Sequence, residues 1–161
     1  AELGARTISP VLDKWVKGEI KATPQDDNLA SHTSKITKEM GLIDWNQPAH
    51  KIVNLIRGLN PAPGCYTFLQ GKRLKVWSAQ TINVESINEG KATVICNHHQ
   101  VAVDFAPAGT IVHTSKGLIV STGEHGFILL TEVQPENKKR ISAQDFINGH
   151  QINGGIAFDK V

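Results

Sequence analysis

Cys65-Tyr66-Thr67-Phe68-Leu69-Gln70-Gly71-Lys72-Arg73-Leu74-Lys75-Val76-Trp77 is the stretch on which the fold turns. Apolar and polar residues alternate on both sides of Gln70-Gly71-Lys72, a period of two broken by a tight-turn signal. It reads as a β-hairpin, with strands over 65–70 and 73–82. The same alternation predicts short strands at 92–96, 101–105, 110–113, 118–122 and 127–134. Asn88-Glu89-Gly90, Pro107-Ala108-Gly109 and Thr122-Gly123-Glu124-His125-Gly126 punctuate them. Many short strands in about 70 residues favour a small barrel of five or six strands. The expected class is mainly β: a small open barrel, OB-like, with flanking helices and an N-terminal helix plus linker.

Upstream of the hairpin the spacing changes to three and four. Residues 47–58 carry Ala49, Ile52, Val53, Leu55 and Ile56 on or near one helical face, with Asn46 as the expected cap, Pro48 early and Gly58 closing the end. Asn60-Pro61-Ala62-Pro63-Gly64 then reads as a stiff turn. Residues 5–21 form a further helical pattern through Ile8, Val11, Leu12, Trp15 and Val16, with Ser9-Pro10 as cap and first-turn proline and Gly18 at the end. Between them, 22–46 is polar and weakly periodic, as expected of a linker. Near the other end, Ser142-Ala143-Gln144-Asp145 approximates a capping box, with Asp in place of Glu, opening a last helix that Gly149 ends.

The composition is 40% apolar and 20% charged, so the chain can bury a core and is not a disordered tail. No apolar run nears the roughly 20 residues of a bilayer span, and no signal peptide is visible. The expectation is a soluble cytoplasmic protein without a membrane partner. Two cysteines, Cys65 and Cys96, do not make a disulfide framework.

The net charge of +2 is unevenly spread. Residues 35–75 hold seven Lys and Arg against Glu39 and Asp44. A second basic knot, Lys138-Lys139-Arg140, lies in an otherwise acidic segment. Clustered cations of this kind are the footprint of a phosphate-binding face, although each cluster alone also fits a solvated surface.

Catalytic motifs are few. There is no Gly-x-Ser-x-Gly elbow and no His-Glu-x-x-His pair, and Gly71-Lys72 has Arg73 where a phosphate loop needs Ser or Thr. Cys96-Asn97-His98-His99 is rich in zinc-ligand types, but an extended strand would put Cys96 and His98 on one face and His99 on the other. A strand-and-turn role is favoured over a metal site, since no second ligand pair has the right spacing. His50 reads as a surface residue. Trp45 reads as an anchor of the linker on the domain. Trp77 fits either a core position or a stacking platform. With three Trp, one Tyr and five Phe in all, recognition by backbone and shape is favoured over base stacking.

Several phrases together carry a resemblance. Lys35-Ile36-Thr37-Lys38-Glu39 followed by Ile43-Asp44-Trp45 resembles the linker of methionyl-tRNA formyltransferases. Ile56-Arg57-Gly58-Leu59-Asn60-Pro61-Ala62-Pro63-Gly64 resembles that family's turn after the first helix of its C-terminal domain. Gly71-Lys72-Arg73-Leu74-Lys75-Val76-Trp77 resembles its first hairpin. Leu130 to Arg140 with Ser142-Ala143-Gln144-Asp145-Phe146 resembles its closing strand and helix, and Pro24-Gln25-Asp26 the segment after the last helix of its catalytic domain. Order and spacing agree over nearly the whole chain. The stretch from about Val84 to Phe105 is longer than the family's usual connection, so an extra hairpin is expected there.

The resemblance implies three parts: 1–22, the terminal helix of a missing Rossmann-like catalytic domain; 23–46, the linker; and 47–161, the C-terminal barrel of formyltransferase type. The family transfers a formyl group from 10-formyltetrahydrofolate to methionyl initiator tRNA. Its catalytic Asn, His and Asp and its folate loop have no match here. The chain is therefore expected to bind no cofactor or metal itself and to have no formyltransferase activity alone. Its expected partners are methionyl initiator tRNA and the catalytic domain, and its expected role is to position the tRNA. The expected phosphate contacts are Lys72, Arg73, Lys75, Lys138, Lys139 and Arg140, with Lys35, Lys38 and Arg57 in support. The alternative is an accessory barrel of another formyl-transfer enzyme with no nucleic-acid role. A metal enzyme built on Cys96, His98 and His99 is the weakest reading.

Overall fold

A computed structural model describes residues 2–88, 90–115 and 117–159. Glu89, in the expected Asn88-Glu89-Gly90 turn, lies outside the described residues. The chain divides into two units, 1–35 and Ile36–Val161.

The first unit holds helix α1, Glu2–Val16, and a short 3-10 turn, Asp27–Leu29, whose Asp26 carboxylate accepts from the Asn28 N–H at 2.9 Å. The helix starts well before the expected Ser9 cap. Pro10 sits inside it, and the last turn closes before Gly18. An internal proline removes one backbone bond and crowds the preceding turn, so the periodic apolar residues outweigh the proline signal here. None of the helix is buried; Ile8, Val11, Leu12 and Trp15 are all exposed.

Among the described residues the second unit holds α2, Ala49–Leu59; nine strands, β1 Cys65–Leu69, β2 Lys72–Thr81, β3 Val84–Asn88, β4 Lys91–Cys96, β5 His99–Asp104, β6 Ile111–His113, β7 Leu118–Ser121, β8 Phe127–Pro135 and β9 Ile141–Ser142; and α3, Ala143–His150. The main sheet runs β1-β2-β8-β7-β6, with β9 also on β8, all antiparallel. It is a curled half-barrel flanked by helices, the mainly β architecture read from the sequence.

The core lies where α2 and α3 meet this sheet. Ile52, Ile56 and Leu59 of α2 and Phe146 and Ile147 of α3 pack with Leu74, Val76, Leu118, Val120, Ile128, Leu130 and Val133. The other face of β7 and β8 is buried too. Ile119, Phe127 and Leu129 pack with Ala92, Val94, Cys96, Val101 and Val103 of a separate antiparallel sheet, β3-β4-β5. The long segment at 84–105 is thus three strands in a second sheet, more than one added hairpin. β3 escaped the sequence reading because every residue in it is exposed, leaving no alternation to detect.

Local signals explain the ends of the helices, with corrections. Asn46 does not cap α2. The cap is Pro48, whose carbonyl accepts from Ile52 N–H at 3.2 Å. Asn46 instead donates its backbone and side-chain N–H groups to Asp44 Oδ1, both at 3.0 Å, and Gln47 Nε2 donates to Oδ2 at 3.0 Å. Those bonds, from Gln47 first, hold the Asp44 carboxyl below its ordinary value. Gly58 lies within α2, and Asn60 ends it. Ser142 caps α3 as expected, accepting from Asp145 N–H at 3.0 Å, but α3 runs past Gly149 to a left-handed Gln151. Among the described residues no helix is long and apolar enough to cross a membrane.

Candidate nucleic-acid interface

The β1-β2 hairpin turns Cys65, Thr67, Leu69, Leu74 and Val76 into the core. Strand alternation then puts Tyr66, Phe68, Arg73 and Lys75 on the opposite face. The register pairs Tyr66 with Lys75 and Phe68 with Arg73, and continues from Lys75 to Gln134 on β8. A bulge between Val76 and Ser78 shifts the β2-β8 register at Trp77, and such bulges re-aim side chains. The Trp77 indole comes to lie beside the cations.

Three cations meet rings on this face. The Arg73 guanidinium lies over Tyr66 at 4.1 Å from the ring centre. The Lys75 ammonium lies over Trp77 at 4.2 Å, and the Arg140 guanidinium over the same indole at 4.8 Å. Trp77 Nε1 donates to Gln134 Oε1 at 2.9 Å, and Gln134 Nε2 donates to the Lys138 carbonyl at 2.8 Å. Lys75 Nζ also donates to the Pro61 carbonyl at 3.2 Å. Arg140 pairs with Glu132. Two basic clusters far apart in sequence thus join on one sheet face in a ladder of cations and rings.

The other expected residues are placed less uniformly. Lys72 and Lys138 line a shallow groove of about 200 Å³ together with Arg73, above Leu69 and Phe146. Lys139 is exposed on the same turn. Arg57 donates to Asn54 Oδ1 at 3.1 Å and lines a cavity of about 490 Å³ with Asn60 and Trp77, so it borders the ladder. Lys38 precedes the 3-10 turn Glu39–Gly41 and is not one of the cations over the rings. Lys35 belongs to the first unit and is exposed. Tyr66 and Gln134 are parts of the ladder that the sequence reading missed. Their only signal was strand parity, which becomes informative once the register is known.

The model of the formyl transferase C-terminal domain family matches residues 35–151. The chain belongs to that family. Its similar relatives are methionyl-tRNA formyltransferases. That of Caldanaerobacter subterraneus subsp. tengcongensis is 38% identical over 155 residues, 96% of this chain and 44% of the relative. That of Bacillus subtilis is 35% identical over 153 residues, 94% of this chain and 43% of the relative. That of Agathobacter rectalis is 39% identical over 156 residues, 96% and 44%. The chain therefore spans less than half the length of the curated relatives it matches. Among solved structures, a variant of HypX from Aquifex aeolicus aligns with a TM-score of 0.51 at 17% identity, covering 96% of this chain and 25% of that one. That likeness concerns the fold alone.

Within this formyl transferase C-terminal domain, neither thiol is set up as a nucleophile. Burial pushes the Cys65 thiol up to about 11, against an opposing pull from Lys75, and burial also raises that of Cys96. Cys96-Asn97-His98-His99 is not an extended run. Asn97 and His98 are both left-handed and make a two-residue hairpin turn, with Cys96 paired to His99. Cys96 points into the core while His98 and His99 are exposed, so Cys96 and His98 do not share a face as the strand reading expected. Among the described residues no three His, Cys, Asp or Glu side chains gather as a metal group. His50 is exposed. Trp45 is buried as the expected anchor, its Nε1 donating to Thr67 Oγ1 at 3.0 Å.

Proposed function

We propose that this chain is the tRNA-positioning part of a methionyl-tRNA formyltransferase. In the complete enzyme it holds methionyl initiator tRNA so that the amine to be formylated reaches a catalytic domain that uses 10-formyltetrahydrofolate. The observation that carries the proposal is the joining of Arg73, Lys75 and Arg140 on one face, with Lys72, Lys138 and Lys139 beside it, in a domain whose relatives bear that enzyme's name. Cations so placed displace counterions from phosphates. Backbone contacts of this kind orient a nucleic acid without reading its bases, and orientation contributes to the rate of the reaction it serves. Lys38 and Arg57 are supporting cations, and Lys35, in the first unit, is a further one.

In the same proposal, 1–22 is the closing helix of the catalytic domain, 23–46 the linker and 47–161 the barrel. The exposed Ile8, Val11, Leu12 and Trp15 of α1 suit a helix that packs on a preceding domain. The protein works in the cytoplasm, where initiator tRNA is charged. The test is anisotropy of labelled initiator tRNA with this chain over a salt series. Measurable affinity that falls steeply with salt is expected. A lack of affinity at low salt would reject the role.

A further inference from the structure

The Trp77 indole touches more of the ladder than any cation does. Lys75 and Arg140 both lie over it. Its Nε1–H reaches Gln134, and Gln134 in turn holds the Lys138 carbonyl, at the start of the Lys138-Lys139-Arg140 run. The indole and Gln134 are 57 residues apart in sequence. The backbone behind the ring is fixed as well, since Asn60 Nδ2 donates to the Trp77 carbonyl at 2.8 Å.

The support continues on the Lys75 side. Gly64 has φ +80, and a Cβ there would lie 2.6 Å from Lys75 Nζ. The Lys75 stem thus runs close against Gly64, and its Nζ donates to the Pro61 carbonyl of the same turn.

We propose that Trp77, braced by Gln134, is a positioning residue for phosphate contact. It holds Lys75 of β2 and Arg140 together, with the Lys138 backbone tied in through Gln134, before any ligand arrives. The inference rests on the RNA-binding reading above and deepens it. Long Lys and Arg side chains lose rotamer freedom when they bind, and a surface whose cations are already ordered loses less. The ring holds Lys75 by its quadrupole, which does not neutralise the ammonium; Arg140, over the same ring, is paired with Glu132 as well. Because its ring is already engaged by two cations, Trp77 organises the charge and is not a platform for a base.

The role has a signature that a purely structural residue lacks. Trp77→Leu and Gln134→Met leave the formal charge unchanged. If they scatter the array, fewer phosphates are engaged together, and the slope of log affinity against log salt becomes shallower although no cation has been removed. The experiment measures initiator tRNA binding by this chain, Trp77→Leu, Gln134→Met and Trp77→Phe between about 50 and 200 mM salt, with a thermal melt of each. The expected result is that the first two variants bind about tenfold more weakly with a slope lower by about one, and that Trp77→Phe, which keeps a ring for the cations but loses the bond to Gln134, falls between them and the unaltered chain. If the chain binds steeply but folded Trp77→Leu and Gln134→Met keep its affinity and slope, the positioning role is wrong and the RNA-binding reading stands. If the unaltered chain does not bind, both fall together. Should Trp77→Leu melt below the assay temperature, Gln134→Met decides alone by the same criteria.

Discussion

The indole of Trp45 stacks on the ring of Phe158, centroids 4.8 Å apart and planes 7° from parallel. The stack joins the chain just ahead of α2 to the tail after α3. Both residues are buried, and Ile43 beside them enters the same core. The entry segment and the exit segment of the barrel thus close on each other.

Removing either ring should cost most of the benefit of burying it. Trp45→Ala and Phe158→Ala should each lower stability by about 3–5 kcal/mol. The double variant should cost less than the sum of the two, by about 0.5–1.5 kcal/mol, because the second truncation takes away a ring whose partner is already gone. Urea denaturation of the four proteins measures this. Additive losses would mean that the rings pack independently of each other.

The tail also steadies the hairpin that carries Lys72 and Arg73. The Asp159 carboxylate accepts from Gln70 N–H at 3.1 Å and Gly71 N–H at 2.7 Å, the two positive-φ residues of the turn. Asp159→Ala should cost about 1–3 kcal/mol, since it removes two bonds to a charged acceptor. The amides of Gln70 and Gly71 should lose protection from hydrogen exchange before those of the core strands do. Unchanged protection there would show that the turn stands without the tail.

These tail interactions mark the limit of what the sequence discloses. Alternation and turn residues made the 65–82 hairpin legible and helical spacing made α2 so, because one period suffices when a single face is buried; β7 and the first half of β8, buried on both faces, stand out as short apolar runs between turn residues. The two cation clusters were visible in the sequence, because charge clusters are local, but not that Lys75 and Arg140 meet over one ring. Trp45 could be read as an anchor, but its partner Phe158 lies far along the chain and carries no mark of the pairing. The bulge that turns Trp77 beside Lys75 depends on how β8 pairs, so the indole's role stayed ambiguous. β3 is exposed throughout, and a strand without a buried face has no pattern.

Cys65 gives the fold an alkaline limit. Its thiol is fully buried, and its pKa rises from an ordinary value of 9.0 to about 11. An acid whose folded pKa is raised keeps its proton longer in the folded than in the unfolded state. Between about pH 9 and 11 the unfolded chain has therefore released a proton that the native chain retains, and stability falls as pH rises through that window. A rise of this size corresponds to a loss on the order of 2–3 kcal/mol by the upper end. Cys65→Ala should make the pH dependence shallower there while lowering stability at neutral pH through the small cavity it leaves. An unaltered alkaline limb would assign the loss to other groups.

Charge removal tests the proposed interface most directly. Lys138→Ala, Lys139→Ala and Arg140→Ala combined should reduce the salt slope of tRNA binding by about two to three, because each cation that pairs with a phosphate releases roughly one counterion. Arg140 differs from its two neighbours in pairing with Glu132. Arg140→Ala leaves that carboxylate bare on the cationic face, so it should weaken binding more than Lys139→Ala, whose side chain is exposed to solvent. Adding Glu132→Gln to Arg140→Ala should restore part of the loss, since repulsion of the phosphates ends with the charge. A double variant no better than Arg140→Ala would mean that Arg140 acts through its own phosphate contact and not by masking Glu132.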